Sequence, residues 1–249
     1  MIIHDFDPDT EPVVDLSVFY GEPRHILNKC LILFSKEIQS HLLDHFSCTQ
    51  IAEIESCSGN TPIYKTRYRD QNLAFYLTGI GSTLASCNCI TAHWLTGADQ
   101  FMMFGSCGSL CREKTDGRYI LPTEAYRGEG CSYYYAEPSD YIAVRNCRKL
   151  ARVFDEMKVP YMQGRVWTVD SMLRETRGLV QRRRSEGCVA VEMELAGVQA
   201  LCDFYGLQLY DFLEAGDVLA DSGYEVEGLS RANHHLGKLF IAMEALARL

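Results

Sequence analysis

Glu192, Met193 and Glu194 stand where a strand-like run gives way to a helical one, within residues 187–206, GCVAVEMELAGVQALCDFYG. Residues 188–191 are short, apolar and β-branched, as a buried strand is. From Val191 the apolar residues take helical spacing. Val191, Leu195, Val198, Cys202 and Tyr205 share one face, and Gly206 stands where a helix needs a left-handed cap. Both carboxylates therefore fall at a helix start, where exposed amides and the helix dipole favour negative charge. A carboxylate fixed there can accept hydrogen bonds from a pair of ligand hydroxyls. Two glutamates that only cap the helix fit the same pattern.

The other small and polar clusters fall at matching places. Gly79-Ile80-Gly81-Ser82, Gly105-Ser106-Cys107-Gly108, Trp167 to Asp170 and Gly216-Asp217 all stand at the carboxyl ends of expected strands. Open α/β sheets bind ligands there, and glycines let backbone amides approach an anion or a hydroxyl closely. The GxG in TGIGS lacks the third glycine of a dinucleotide fingerprint, and no acidic ribose-binding residue follows at the expected distance.

The elements that must carry these residues alternate. Residues 29–34 read as a buried strand, and Ser35 as the N-cap of a helix with Ile38, Leu42 and Phe46 inward. Residues 56–64 read as a loop, and 64–69 with 73–77 as a hairpin. A helix follows over 83–96, stopped at Gly97, and then strands over 100–104 and 119–126. Residues 140–157 read as a helix with Ala143, Cys147, Leu150 and Phe154 inward, and 163–170 as a strand. Residues 207–213 form the last strand. Residues 229–249 form one closing helix with Leu236, Phe240, Met243 and Leu246 inward. This predicts a single α/β domain over 29–249, with a mostly parallel twisted sheet covered by helices on both faces, and an N-terminal arm over 1–28.

The totals agree with that class. At 249 residues the chain can bury a substantial core, and 47% apolar with 23% charged residues is ordinary globular composition. A net charge of −9 argues against nucleic acid or an anionic membrane as partner, since both need clustered positive charge. Arg182-Arg183-Arg184 is too short to reverse this. There is no apolar run of membrane-spanning length, and the first residues lack a signal-peptide layout. The 11 cysteines are odd in number and include no CxxC pair, so neither a disulfide framework nor a zinc ribbon is indicated. Cys30, Cys87, Cys89, Cys188 and Cys202 lie in apolar runs, where thiols pack as small hydrophobes. Reduced thiols imply cytoplasm. His234-His235 lacks a carboxylate partner at helical spacing, so no metal is expected.

TGIGS, FGSCGS, ILPTEAYRGEG, VEMEL and a late aspartate, taken together and in this order, resemble the nucleoside phosphorylase family of purine and uridine phosphorylases, with VEMEL the most specific piece. The resemblance implies a twisted, partly closed mixed sheet and assembly as a homodimer or homohexamer. It implies cleavage of a nucleoside N-glycosidic bond by phosphate as co-substrate, giving free base and ribose 1-phosphate with no cofactor, in purine or uridine salvage. On this resemblance Met193 packs on the ribose and Glu194 binds its hydroxyls, with Glu192 beside them. Trp167 takes the place of an aromatic that stacks on the base, though a core tryptophan fits as well. Asp217 matches an aspartate that helps protonate a purine leaving group, and Ser106 a hydroxyl that touches phosphate, with Gly81 at the neighbouring glycine turn. Asp170 matches a structural residue.

The chain departs from the family at its arginines. FSKEIQS after the first strand has neither Gly nor Arg, Met103 stands where an arginine is expected, and SCSGNTP lacks another. Phosphate favours bidentate guanidinium partners, so Lys36 or Arg127 is left to compensate. The chemistry keeps its sense without them. The sugar becomes oxocarbenium-like, and the leaving base needs a proton that a buried carboxylic acid can give. Water can replace phosphate. A phosphate-independent nucleosidase and a non-catalytic nucleoside binder are the alternatives.

Overall fold

Four of the five residues of β1 (Lys29–Leu33) are buried, because parallel strands flank it on both sides. These are β4 (Gln71–Leu77) and β5 (Gln100–Ser109). The hairpin partner β3 (Thr61–Tyr68) runs antiparallel to β4, and β2 (Thr49–Ile54) pairs with β3 at the edge. The computed structural model describes residues 1–249.

The second half of the chain closes the sheet. β6 (Tyr119–Gly128) pairs parallel with β8 (Tyr161–Val169), β8 parallel with β9 (Cys188–Glu192), and β9 antiparallel with β5. The long β10 (Gln208–Ala220) pairs parallel with β5 and antiparallel with β6. β5, β9, β8, β6 and β10 therefore form a closed ring, which removes their edges. The short β7 (Tyr141–Ala143) and β11 (Gly223–Glu225) pair outside the ring with β6 and β10. One core contains Leu31, Phe75, Phe101, Phe104, Phe154 and Phe212. A smaller one gathers Leu110, Trp167, Val180, Val191 and Leu219.

Helices pack around this sheet. α1 (Ser17–Tyr20) lies in the arm, and α2 (Lys36–His45) starts at Ser35, whose Oγ accepts from the Ile38 amide at 3.2 Å. α3 (Ser82–Thr96) ends at Gly97 in the left-handed conformation. α4 (Arg112–Thr115), α5 (Cys147–Met157) and α6 (Arg177–Ser185) precede α7 (Leu195–Phe204). All of residues 195–202 are buried, so α7 is enclosed rather than amphipathic, and Tyr205 is exposed. The arm, residues 1–28, runs over these helices: Phe6 meets the Phe204 ring edge-on, and Trp94 Nε1 donates to the Gly21 carbonyl at 3.0 Å. No helix is long and apolar enough to cross a membrane.

Several local expectations are corrected. β5 and β10 continue together beyond the expected ends, because each supplies the other's backbone partners. Ser106 and Asp217 thus lie within strands, with a bulge between Ala215 and Asp217. Residues 141–143 are strand rather than helix, and Ala143 is exposed. β2 and α6 were not foreseen; only Val180 and Arg183 of α6 are buried, so its apolar stripe is faint. The closing helix breaks at His235, which is extended (φ −66°, ψ 107°), into α8 (Leu229–His234) and α9 (Leu236–Arg248). The break rotates the buried face onto Lys238, Leu239, Ala242, Met243 and Leu246, and Phe240 points outward. All 11 cysteines are free, and Cys87 is exposed rather than packed.

Candidate active site

At the β9–α7 junction the two glutamates do different work. Glu192 Oε2 accepts from the amides of Glu194 and Leu195, each at 2.7 Å, and Oε1 accepts from the Thr168 hydroxyl. It caps α7. Glu194 instead reaches across to α3, where its Oε1 accepts from the Gly81 amide at 2.7 Å. Gly81 has φ +106°, a conformation that favours glycine. Ser82 Oγ donates to the carbonyls of Met193 and Glu194, each at 3.2 Å, tying the start of α3 to the junction. Burial pushes both carboxyls up from their ordinary range. The charge of Glu194 adds to this at Glu192, and the amide donors oppose it at both.

The junction opens on a cavity of about 590 Å³. Glu192, Met193, Glu194, Ser106 and Asp217 all line it, and Gly81 stands at its edge through its amide. Asp217 is 8% exposed. Gly108 faces it across the β5–β10 pair, where a Cβ would come within 3.1 Å of Asp217 Oδ2. Burial raises the Asp217 carboxyl, and the neighbouring Tyr224 hydroxyl opposes the shift. Glu175 lines the same end and is pushed up to about 7 by burial, with the charge of Asp217 adding to it.

The other end is hydroxylic and basic. Ser106 Oγ donates to Asn233 Oδ1, and Ser35 Oγ lies 2.8 Å from His234 Nδ1. Lys238 is 1% exposed; its Nζ donates to the Ala232 carbonyl and lies 3.9 Å from Glu214 Oε2. Burial pushes Lys238 down to about 8. Asp211 is 2% exposed and neither carboxylate oxygen has a side-chain or backbone partner, and burial raises it well above its ordinary value, with the charges of Glu192 and Glu194 adding to this. Met103, where the family's arginine is missing, lies in this wall.

Two expected residues lie elsewhere. Trp167 is 3% exposed and packs one layer behind the cavity residues Val180, Val191 and Leu219. Its indole lies against β6, where a Cβ on Gly128 would come within 2.7 Å of Nε1. The apolar wall comes from Ile80, Met172, Leu173 and Leu219 instead. Arg127 is 3% exposed and away from the cavity. Its guanidinium donates to Ser132 Oγ, Ser139 Oγ and the carbonyls of Ala136 and Glu137, which fastens the loop after β6. Lys36 is exposed on α2 and is not in the wall either. Asp170 Oδ2 accepts from the Gly130 amide at 3.1 Å.

Sequence reasoning missed Glu175, Asp211, Tyr224, Asn233, His234 and Lys238. Two had a signal: an aspartate inside the apolar run LYDFL, and a lysine amid an apolar helix face. A charge in such a place needs a reason.

The comparisons with known proteins agree with this architecture. A family model described as the phosphorylase superfamily matches residues 32–230. A DeoD-type purine nucleoside phosphorylase of Alkaliphilus metalliredigens is 25% identical over 215 residues, covering 85% of this chain and 89% of that protein. Uridine phosphorylase from Vibrio fischeri superposes with a TM-score of 0.71 at 17% identity, over 90% of this chain and 93% of its own. AMP nucleosidase from Bacteroides thetaiotaomicron superposes with a TM-score of 0.68 at 18% identity, over 90% and 88%. The fold is thus shared by a uridine phosphorylase and by an AMP nucleosidase. Because the family model matches most of its length, the chain belongs to the phosphorylase superfamily, as a divergent member.

Proposed function

We propose that this protein is a nucleoside phosphorylase that cleaves a purine nucleoside to free base and ribose 1-phosphate. One observation carries the reading: Met193 and Glu194 share a single cavity with a buried acid, Asp217, and with a hydroxyl and amine set, Ser106, His234 and Lys238. Glu194 binds the ribose hydroxyls and Met193 packs on the sugar ring. As the C1′–N bond breaks, its electron pair passes to the base, and Asp217 delivers a proton to a base nitrogen. The negative charge of Glu194 offsets the positive charge that develops on the sugar. A phosphate oxygen then bonds to C1′. Ser106, His234 and Lys238 are the groups at the end where phosphate sits, replacing the family's arginines.

Phosphate-independent hydrolysis is the second reading, favoured because the only arginine in the cavity wall, Arg177, is exposed and occupied by the Asp221 carbonyl at 2.5 Å. A panel of nucleosides incubated with and without phosphate separates the two. Release that requires phosphate supports the phosphorylase, equal release without it supports the nucleosidase, and tight binding with no release leaves a binder. Assembly belongs to the same proposal. Ile80, Leu84, Met172 and Leu173 are exposed near the cavity mouth, a face that a second copy of the chain covers in a dimer, which size-exclusion chromatography with light scattering checks.

A further inference from the structure

Lys238 brings the only amine to the cavity wall. It is 1% exposed, and an ammonium that far from water is costly unless it is paired. Of its three donors, one goes to the Ala232 carbonyl and caps α8; no other hydrogen bond in the chain takes the rest. Capping accounts for that bond but not for the charge. The charge has its partner behind the wall, where Glu214 Oε2 lies 3.9 Å from Nζ. Neighbouring residues of β10 divide between two cavities. Leu213 lines the first, and Glu214 a second of about 470 Å³. His235, exposed at the break between α8 and α9, lines the second as well, and its Nδ1 lies 2.9 and 3.1 Å from the two Glu214 oxygens. A carboxylate only accepts, so Nδ1 carries the proton there.

Resting on the phosphorylase reading, we propose that Glu214, oriented by His235, is a positioning residue for phosphate: its carboxylate keeps the Lys238 amine a cation in the cavity wall, and that cation meets the phosphate. The placement of the pair suits the task. A carboxylate inside the cavity repels phosphate, whereas one behind the wall favours the ammonium without touching the ligand. The lost arginine makes such a partner necessary. An arginine stays charged unaided, but a buried lysine gives up its proton readily. With Met103 in the wall where an arginine is expected, the site draws its positive charge from Lys238 and needs Glu214 to hold it.

The demand on Glu214 grows with pH. Burial pushes the Lys238 amine down to about 8, and the charge of Glu214 opposes the shift, with Cys107 of β5 adding to it. The Cys107 thiol is itself raised well above its ordinary range by burial, so Glu214 is the anion that matters. His235 and Tyr119 of β6 face Glu214, and His234 and Asp211 also line the cavity with Lys238. Without Glu214 the amine loses its proton at a lower pH, and each unit of that fall costs up to about tenfold in ammonium at an alkaline pH.

The test measures KM for inorganic phosphate on the intact protein from pH 6 to pH 8, with adenosine or inosine saturating, in the wild type, Glu214→Gln, Glu214→Asp and His235→Leu. Phosphate ionises alike for all four and cancels in the ratio to wild type. Glu214→Gln should raise KM for phosphate about 10-fold or more at pH 8, the ratio shrinking as pH falls to 6, with nucleoside KM unchanged. Glu214→Asp keeps the charge and should stay within about threefold of wild type, and His235→Leu should raise KM about two- to fivefold. A Glu214→Gln ratio near one at pH 8, or one that is flat across pH, overturns the role of Glu214 alone. Where Glu214→Gln does not fold, the same pH-dependent ratio read on His235→Leu decides. A wild type that releases base equally without phosphate overturns the phosphorylase reading and this inference with it.

Discussion

The β9–α7 junction and the rest of the cavity wall hold their charges in opposite ways. Glu192 and Glu194 are met by backbone amides of Glu194, Leu195 and Gly81 at 2.7 Å, donors that come with the fold itself. Asp211, Glu175 and Lys238 have no such provision. Asp211 is unpartnered, Glu175 has only the field of Asp217, and Lys238 has the Ala232 carbonyl and, at 3.9 Å, the Glu214 carboxylate. Groups fixed by amides are preorganised at the cost of little further rearrangement. Groups buried without partners destabilise the empty protein and gain when a ligand arrives. The junction is thus a finished scaffold, and on the proposed function the rest of the wall is completed by the ligand.

The largest effect should come from Asp217→Asn. Loss of the proton donor should lower kcat for base release by about 10² to 10⁴, with thermal stability unchanged or raised because a buried acid is removed. A fall in melting temperature with kcat intact would place Asp217 on the scaffold side instead. Next, the two glutamates should part company. Glu194→Gln should raise KM for the nucleoside about 10- to 100-fold with little loss of stability. Glu192→Ala should cost about 2 kcal/mol or more by stranding two amides and the Thr168 hydroxyl. Equal behaviour in kinetics and denaturation would erase the distinction between them.

Lys238→Met sharpens the comparison from the other side. The Lys238 amine is held near 8, below the ordinary lysine value. A lowered amine pKa in the folded state penalises folding in full below about 8. The penalty is relieved as pH rises from about 8 to about 10.5, because only the unfolded chain then keeps its proton. Over that window the wild type should gain, relative to Lys238→Met, on the order of 3 kcal/mol. At pH 7 the variant should be as stable as the wild type or more so, while its KM for phosphate rises. The smallest effect should be Trp167→Phe, which repacks a buried ring behind the wall. It should cost about 1–2 kcal/mol and leave nucleoside KM alone; a raised KM would return the indole to the base.

Local signals carried much of the architecture. The buried run KCLILF is a central strand, Ser35 is an N-cap, Gly97 and Gly206 are left-handed stops, and the strand-to-helix change falls at VEMEL, although the strand keeps Val191 and Glu192 and the helix begins only at Leu195, four residues past the expected change at Val191. Where the pattern was faint it misled. α6 is too polar to show a stripe, β2 has only one buried residue, and β7 hides inside a helix-like run. Of the candidate site, the carboxylate pair, Ser106 and Asp217 meet in one cavity, whereas Trp167 and Arg127 do not.

What the chain's own residue order determined is the set of elements and the acids and hydroxyls placed near their ends. These follow from spacing, capping and glycine conformation, all set within a few residues. Only the tertiary structure decided which side chains share the cavity. Trp167 turns to β6 because the ring of strands closes on that side, and Lys238 turns inward because a break at His235 rotates α9. Both are matters of phase. A strand alternates every residue and a helix turns about 100° per residue, so one bulge or one break reassigns a whole face. Pairings such as Asp217 with Gly108 join segments over a hundred residues apart, and no local pattern fixes them.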